Sequence, residues 1–428
     1  MFRAPGPDGR RAPPFSRPAR MIVQRFLTWV QTAPVGARAE ATSALARAYL
    51  YNDLADRDRA DAESALTAML DDRSPLVRRA LAEAFASARE APHHCISALA
   101  CDQSDIAAVV LARSPLLSDA ELVDCAAVGD AFAQSAIALR PGLSSAVARA
   151  LAEVGAREAV ISLAVNPAAE VPDAALRRII ERFGDDGEVR EALLTRPDLS
   201  AGVRADLVLA ATRALSAFVS ARGWMAEERM KRVGRESCEK GFVIIAGDAH
   251  HAPDAWNADL ARRLRLSGQL TPHLALRALL SGARALFEAM LVELTGLPAS
   301  RVAGLVGRFE GSAFAALCKK AGFPASLLPA FRAGLAGDDQ ESGLTRTRVA
   351  RARAALRSVD PSVDAAVMAG LRRLESEAAR EEARQASAEL IDAAAAREAR
   401  LTAEALLAST APVVEIDLAA IEAELFAA

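Results

Sequence analysis

Apolar side chains recur at helical spacing along most of the chain. In residues 76–84 they stand at positions 76, 77, 80, 81 and 84, and in residues 147–154 at positions 147, 150, 151 and 154. Spacings of three and four residues place such side chains on one face of an α-helix. The runs are short and are separated by turn-forming proline, glycine, serine and asparagine residues. The pattern therefore predicts many short amphipathic helices joined by tight turns.

Two markers repeat with a common period in residues 70–210. An acidic residue opens the helical runs at Asp72, Asp102, Asp130 and Asp186, with spacings of 30, 28 and 56 residues, the last being two periods of 28. A turn motif follows at Arg113-Ser-Pro-Leu-Leu-Ser, Arg140-Pro-Gly-Leu-Ser, Asn166-Pro and Arg196-Pro-Asp-Leu-Ser, with spacings of 27, 26 and 30. A helix–turn–helix unit of this length cannot bury its apolar face alone, so neighbouring units must stack. The markers therefore predict a repeat array.

A second array is predicted after residue 270. Pro272, Pro298 and Pro324 are spaced by 26 and 26 residues, and each precedes an apolar helical run. The glycines of this region, Gly282, Gly296 and Gly322, are expected to close helices in the left-handed conformation that glycine favours. Between the arrays, residues 205–245 are predicted to form one or two long helices. Residues 342–410 are predicted to be a charged, alanine-rich helical region.

The composition agrees with an all-helical protein. Alanine is the most frequent residue, whereas aromatic residues make up only 4% of the 428. Alanine and leucine favour helices, and strands draw on the β-branched and aromatic residues that are scarce here. The composition therefore argues against a large β-sheet protein. The predicted fold class is all-α, with α-solenoid-like arrays of helix-hairpin repeats whose period is about 26–30 residues.

Charge is distributed in blocks along the chain. The net charge of −3 combines +5 in residues 1–30, −8 in 31–220, +4 in 221–340, +4 in 341–374 and −8 in 375–428. Composition and repeats together divide the chain into five predicted segments. They are a disordered basic leader (1–30), an N-terminal array (31–220), a C-terminal array (221–340), a charged alanine-rich helical extension (341–410) and an acidic amphipathic tail (411–428).

The cysteine and histidine positions do not predict a disulfide framework or a metal site. Five cysteines, an odd number, are widely spaced and form no C-x-x-C pair, which is typical of a reducing compartment. His93, His94, Cys95 and Cys101 are crowded within nine residues, so we interpret them as an exposed histidine pair beside a buried cysteine. The pair at 250 and 251 has no cysteine or carboxylate at ligand spacing.

No catalytic or cofactor-binding residue is predicted. The chain contains no G-x-S-x-G nucleophile turn and no G-x-x-x-x-G-K-[ST] phosphate loop. Its paired carboxylates, Asp71-Asp72 and Asp185-Asp186, stand at helix starts, where they favour the helix dipole. Gly304 and Gly307 are interpreted as a close-packing site or a helix end. Neither a secretory signal nor an apolar run of 18 residues is present, and a cytoplasmic protein without a membrane span is expected.

Three stretches carry a resemblance to a known family. Residues 109–123 (VVLARSPLLSDAELV), 134–144 (QSAIALRPGLS) and 268–282 (GQLTPHLALRALLSG), the last followed by LFEA at 286–289, resemble a bacterial family called domain of unknown function 2336. The resemblance covers roughly residues 40–335. It implies a helical protein similar to HEAT repeats, and it brings no established activity, no cofactor and no catalytic residue.

The expected function is that of a non-enzymatic protein-interaction or regulatory scaffold that presents a helical-repeat surface to a protein or peptide partner. One alternative is nucleic-acid or nucleotide-messenger binding through the basic region 225–374. Its clusters are Lys231, Arg232 and Arg235, and then Arg346, Arg348, Arg351 and Arg353. The acidic first array and the lack of interleaved aromatic residues argue against nucleic acid, and favour a solvated helix face or a dock for the acidic tail. A second alternative is a helical-repeat enzyme without an identifiable site. The partner and the oligomeric state stay open.

Overall fold

The computed structural model describes residues 17–248, 253–337, 343–359 and 365–409. Throughout these residues the regular elements are helices, and no strand occurs among them. The chain divides into two compact units, Met1–Ile245 and Ala246–Ala428. The predicted all-α class is confirmed.

Fourteen helices of the described residues begin in the first unit. They are α1 (Arg17–Val30), α2 (Val35–Tyr51), α3 (Asp56–Ala68), α4 (Pro75–Phe85), α5 (His93–Ala100), α6 (Ser104–Arg113), α7 (Asp119–Val128), α8 (Ala131–Ala138), α9 (Ser145–Val154), α10 (Arg157–Val165), α11 (Asp173–Phe183), α12 (Gly187–Leu194), α13 (Ala201–Ala221) and α14 (Glu227–Gly247). A short 3₁₀ turn, Met69–Asp71, follows α3.

The helices of the first unit are stacked in two layers. In layer A the even-numbered helices α2, α4, α6, α8, α10 and α12 pack side by side in chain order. In layer B α1 packs on α3, α7 on α9, α9 on α11 and α11 on α13. Helix α5 joins this layer through hydrogen bonds of its side chains to α3 and α7. From α1 to α13, each helix thus contacts the helix two places along the chain, which confirms the predicted repeat array.

The core between the layers is built from aliphatic side chains and alanine. Fully buried residues such as Leu81, Ile106 and Leu151 alternate with buried alanines such as Ala82 and Ala148. Alanine at helix contacts lets the short helices approach closely, and it adds little side-chain entropy cost on folding. The alanine excess of the sequence therefore serves the close packing of many short helices.

Two of the segments expected in this part of the chain differ in the structure. Residues 17–30, expected to belong to a disordered leader, form α1, because Val23 is buried and Phe26 and Val30 pack against the core. Residues 1–16 lie outside the described residues. The first unit also extends to Ile245 rather than to residue 220. Its extension is α14, whose Gly241 lies against Val208 of α13.

The second unit contains eight further helices among the described residues. They are α15 (Pro253–Leu266), α16 (Pro272–Leu280), α17 (Arg284–Thr295), α18 (Ala299–Val306), α19 (Ser312–Lys320), α20 (Leu328–Leu335), α21 (Arg346–Val359) and α22 (Ala365–Ser409), with a 3₁₀ turn at Ala325–Leu327. Pro272 opens α16, and Pro298 and Pro324 are the N-caps of α18 and of the 3₁₀ turn. The predicted helix starts are confirmed.

The predicted glycine conformations are also confirmed. Gly282, Gly296 and Gly322 all have positive φ angles, between 68° and 80°. Gly307 is the C-cap of α18, as expected for a helix end. The packing is less regular than in the first unit, however: α15 packs on α17, but α16 packs on α17 and α20. The two units therefore share a sequence period of about 27 residues but pack their helices differently.

The predicted extension 341–410 is partly core. Val349, Ala352 and Leu356 of α21 are buried, and α21 packs between α20 and α22. In α22, Leu371 and Ala378 are buried, whereas every residue from 383 to 404 is exposed. The first part of the extension is therefore an integral part of the second unit. The predicted acidic tail 411–428 lies outside the described residues.

Candidate interaction surface

The residues that mark the repeats in the sequence form hydrogen bonds between consecutive repeats. Ser114, Arg140, Asn166 and Arg196 each stand directly before a turn proline, which restricts them to extended backbone and ends the preceding helix. Asn166 Nδ2 donates to the carbonyl oxygens of Ala138 and Arg140, both at 2.8 Å. Arg140 donates in the same way to Leu111 and Ser114.

The series continues by one further step. The Arg196 guanidinium donates to the carbonyl oxygens of Asn166 and Ala169, both at 3.1 Å. The carbonyl of each marker residue from Ser114 to Asn166 thus accepts a hydrogen bond from the side chain of the next marker. We call this series the pre-proline ladder. It supplies partners for carbonyl groups that helix ends leave unpaired.

The acidic markers form a second set of contacts between repeats. Asp72 accepts two hydrogen bonds from Arg38, and Asp102 accepts two from Arg78. Asp130 accepts from the hydroxyl of Ser104 and from backbone N–H groups at the start of α8. Each carboxylate therefore joins a helix start to a residue one repeat earlier, which extends the capping role predicted from the sequence.

The electrostatic consequence is clearest at Asp186. Its carboxylate accepts from Arg157 and from the backbone N–H groups of Val189 and Glu188 at the start of α12. The Arg157 guanidinium, followed by these N–H groups, lowers the pKa of Asp186 to about 2. The stability that this carboxylate contributes is therefore present above its ordinary pKa and is lost as the pH falls toward 2.

The histidine pair of α5 lies in contacts between neighbouring helices. His93 Nε2 is 3.3 Å from Glu121 Oε1 of α7, and His94 Nε2 is 2.8 Å from Thr67 Oγ1 of α3. Both histidines are exposed, and Cys95 beside them is buried. In the part of the chain that the structure describes, no three His, Cys, Asp or Glu side chains are grouped so that they could hold a metal ion.

The cysteines are free thiols. Burial raises the pKa of Cys318 to about 11, and burial together with the neighbouring Cys101 raises the pKa of Cys125 to about 11. Burial also raises the pKa of Cys95 and of Cys238. A thiol with a raised pKa is protonated at neutral pH and is a poor nucleophile or metal ligand.

The Arg346–Arg353 cluster of α21 is engaged by α22. Arg346 forms an ion pair with Glu382 at 2.6 Å, and Arg353 forms one with Glu375. Arg277 of α16, which is buried, contacts both carboxylate oxygens of Glu377. The acidic partners of Arg346 and Arg353 therefore lie in the first half of α22, while the acidic tail proposed to dock on them lies outside the described residues. Phosphate contacts at this cluster would compete with ion pairs that already exist.

The ladder leaves an apolar row exposed on layer A. Leu139 and Val165 immediately precede the ladder residues Arg140 and Asn166, and Leu194 ends α12 near Arg196. These three side chains are between 47% and 62% exposed, and they end three consecutive helices of one layer. Phe132, also exposed, lies two turns before Leu139 on the same side of that helix. We call Phe132, Leu139, Val165 and Leu194 the apolar row.

Carboxylates accompany the row. Glu158 lies two turns before Val165 on α10, and Glu191 lies one turn before Leu194 on α12, and both are exposed. Single exposed apolar residues are ordinary, but exposed apolar side chains at the ends of neighbouring helices of one layer indicate a candidate interaction surface. In the sequence, Leu139 and Val165 stand directly before a marker residue, whereas Thr195 separates Leu194 from Arg196, so the row is not apparent from the marker spacing alone.

Comparison with known proteins yields one family. A family model described as "Uncharacterised protein conserved in bacteria (DUF2336)" matches residues 106–369, from α6 to the start of α22. This range begins and ends later than the 40–335 indicated by the resemblance. No curated protein and no solved structure matches the chain. Within the described ranges no helix combines the length and apolar character needed to cross a bilayer.

Proposed function

The chain belongs to the family of uncharacterised proteins conserved in bacteria (DUF2336), and we propose that it is a non-enzymatic scaffold whose first unit binds a segment of a partner protein. The observation that carries the proposal is the apolar row on layer A. Leu139, Val165 and Leu194, at the ends of three consecutive helices of the layer, and Phe132 expose apolar surface that a partner would remove from water. Full burial of an exposed side chain of this size contributes about 1.5–3 kcal/mol, and each of these half-exposed side chains would contribute about half of that.

The charge around the row specifies the kind of partner. Residues 31–220 carry a net charge of −8, and Glu158 and Glu191 flank the row. An amphipathic segment with apolar residues on one side and lysine or arginine on the other complements this surface. The proposed partner is therefore a basic amphipathic peptide segment.

The contacts of the other conspicuous residues support a scaffold. The acidic markers and the marker arginines hold neighbouring repeats together. Arg346 and Arg353 are paired with carboxylates of α22, which weighs against nucleic acid as the ligand of that cluster. The free thiols support the cytoplasm as the proposed location.

Binding measurements on matched variants test the proposal. Val165→Ser and Val128→Ser are the same substitution at exposed valines of opposite layers, because Val128 ends α7 of layer B. Partners are first identified by affinity purification with the unmodified chain, and their affinity is then measured for each variant. We expect Val165→Ser to weaken binding about tenfold and Val128→Ser to leave it unchanged. Equal affinity of the two variants would remove layer A as the binding surface.

A further inference from the structure

A helical arm extends from the end of the first unit. It comprises residues 211–237, the second half of α13 and the first half of α14, and none of these 27 residues has a buried side chain. Buried residues end at Ala210 and resume at Cys238. The two helices approach each other through small side chains, since a Cβ atom on Gly234 would lie 3.3 Å from Thr212 Cγ2. Larger side chains of the arm therefore face solvent.

The tip of the arm carries an exposed apolar cluster. Trp224 is 68% exposed and packs edge-on against Phe218, with the ring centroids 5.8 Å apart. The Arg222 guanidinium lies over Phe218, 3.6 Å from the ring centroid. Leu215 is 64% exposed and lies one turn before Phe218 on the same side of α13. We call Leu215, Phe218 and Trp224 the aromatic tip.

Basic side chains outnumber acidic ones along the arm. The arm contains Arg213, Arg222, Arg229, Lys231, Arg232 and Arg235 against Glu227, Glu228 and Glu236, a net charge of +3. Lys231 forms an ion pair with Glu227 at 2.7 Å. The arm is thus a positively charged segment in an array whose net charge is negative. This contrast separates the arm from the rest of the unit and from the apolar row.

We propose that the helical arm anchors the protein peripherally to an anionic lipid bilayer, with the aromatic tip in the interfacial region. Tryptophan and phenylalanine are favoured at the level of the lipid headgroups, and lysine and arginine are attracted to anionic headgroups. The positive charge of the arm complements such a surface. The tip lies at the turn between two helices that have no buried side chain over residues 211–237, and such a turn can enter an interface without a matching groove.

The stacking of the tip favours lipid over single-stranded nucleic acid. Nucleobases bind by stacking on the open faces of aromatic rings. Arg222 covers one face of Phe218, and Trp224 packs against the same ring. Insertion into a bilayer needs only exposed apolar surface, which Leu215 and Trp224 offer. This anchor is independent of the partner site proposed on layer A.

Vesicle sedimentation of the full chain tests the proposal. The probes are vesicles of phosphatidylcholine alone and of phosphatidylcholine mixed with phosphatidylglycerol. The variants are Trp224→Ser, the double variant Arg232→Gln/Arg235→Gln, and Trp29→Ser as a matched control at an exposed tryptophan of α1. We expect binding to the mixed vesicles, reduced about tenfold by Trp224→Ser. We expect a reduction of about fivefold for each arginine removed, and no change with Trp29→Ser.

Tryptophan fluorescence supplies a second measurement. In a Trp29→Phe/Trp256→Phe background Trp224 is the sole tryptophan, and brominated lipid in the mixed vesicles should quench it. Absence of binding to mixed vesicles, or equal binding by the unmodified chain and Trp224→Ser, would overturn the proposal. Quenching by single-stranded DNA without any vesicle binding would also overturn it and would assign the arm to nucleic acid.

Discussion

Asn166→Ala is expected to destabilise the first unit by removing one step of the pre-proline ladder. The Asn166 side chain is only 6% exposed. Its amide donates to the carbonyl oxygens of Ala138 and Arg140, and its Oδ1 accepts from the Ala168 N–H. Alanine removes all three hydrogen bonds and leaves buried carbonyl groups without a partner. The expected loss is about 2–4 kcal/mol of unfolding free energy.

A matched control separates the ladder from the substitution itself. Asn52 is the C-cap of α2, as Asn166 is the C-cap of α10, but Asn52 is exposed. Urea unfolding followed by circular dichroism should show a lower unfolding free energy for Asn166→Ala, and an unfolding free energy within about 0.5 kcal/mol of the unmodified chain for Asn52→Ala. Hydrogen exchange should place the weakened protection at the ends of α8 and α10. Equal effects of the two substitutions would refute the ladder as a source of stability.

Three further predictions concern charge and backbone. Asp186→Asn should lower stability at neutral pH, because the carboxylate with its lowered pKa of about 2 stabilises the folded chain there. As the pH falls from about 4 to 2, the stability of the unmodified chain should fall to that of the variant, measured by thermal unfolding across that range. Arg277→Ala should raise the hydrogen exchange of α22 and cost about 1–3 kcal/mol, because the Glu377 carboxylate left behind is partly exposed. Arg384→Ala, which removes an exposed ion pair, should change little. Gly304→Ala should raise the melting temperature, because Gly304 lies inside α18 and a methyl group there would meet no other atom. Gly296→Ala should lower the melting temperature, because a backbone φ of +68° strains alanine by about 1 kcal/mol.

The repeat pattern of the sequence predicted most of the helices of the first unit and their stacking in repeats. Residue types at the turns were sufficient to place helix starts and ends, because such signals act locally. Examples are the proline after Asn166 and Ser118, whose side chain and that of Glu121 cap the start of α7. The partners of these residues lie one repeat away, and a spacing alone does not identify which side chain reaches which carbonyl. The ladder therefore emerged only from the structure.

In the second unit the sequence period predicts where helices begin but not which helices pack together. Pro272, Pro298 and Pro324 begin helical elements as predicted, yet α16 packs on α20 rather than on α18. Packing partners depend on bulky core side chains such as Phe287 and Phe331, whose ring centroids are 5.7 Å apart. Contacts of that kind join distant parts of the chain and leave no regular interval in the sequence.

The sequence predicted that an interaction surface exists but not which residues form it. A scaffold with a repeat surface was expected, but the sequence did not indicate which face is exposed. Seven-residue spacing puts Phe132 and Leu139 on the same side of α8. The exposed fractions of these two side chains show that this side faces solvent. The exposure of Trp224 was likewise not predicted, because the sequence around it has the same helical periodicity as the core helices. Only the structure shows that the arm is exposed.

Site-specific photo-crosslinking in cells tests the central proposal most directly. A photoreactive amino acid is introduced in turn at Leu139, Val165 and Leu194 of layer A and at Val128 of layer B, and the crosslinked partners are identified by mass spectrometry. The proposal predicts that the three positions of the apolar row capture one common protein through a basic amphipathic segment, and that position 128 does not capture it. Capture of that protein from position 128 with equal yield, or no common partner among the three row positions, would contradict it.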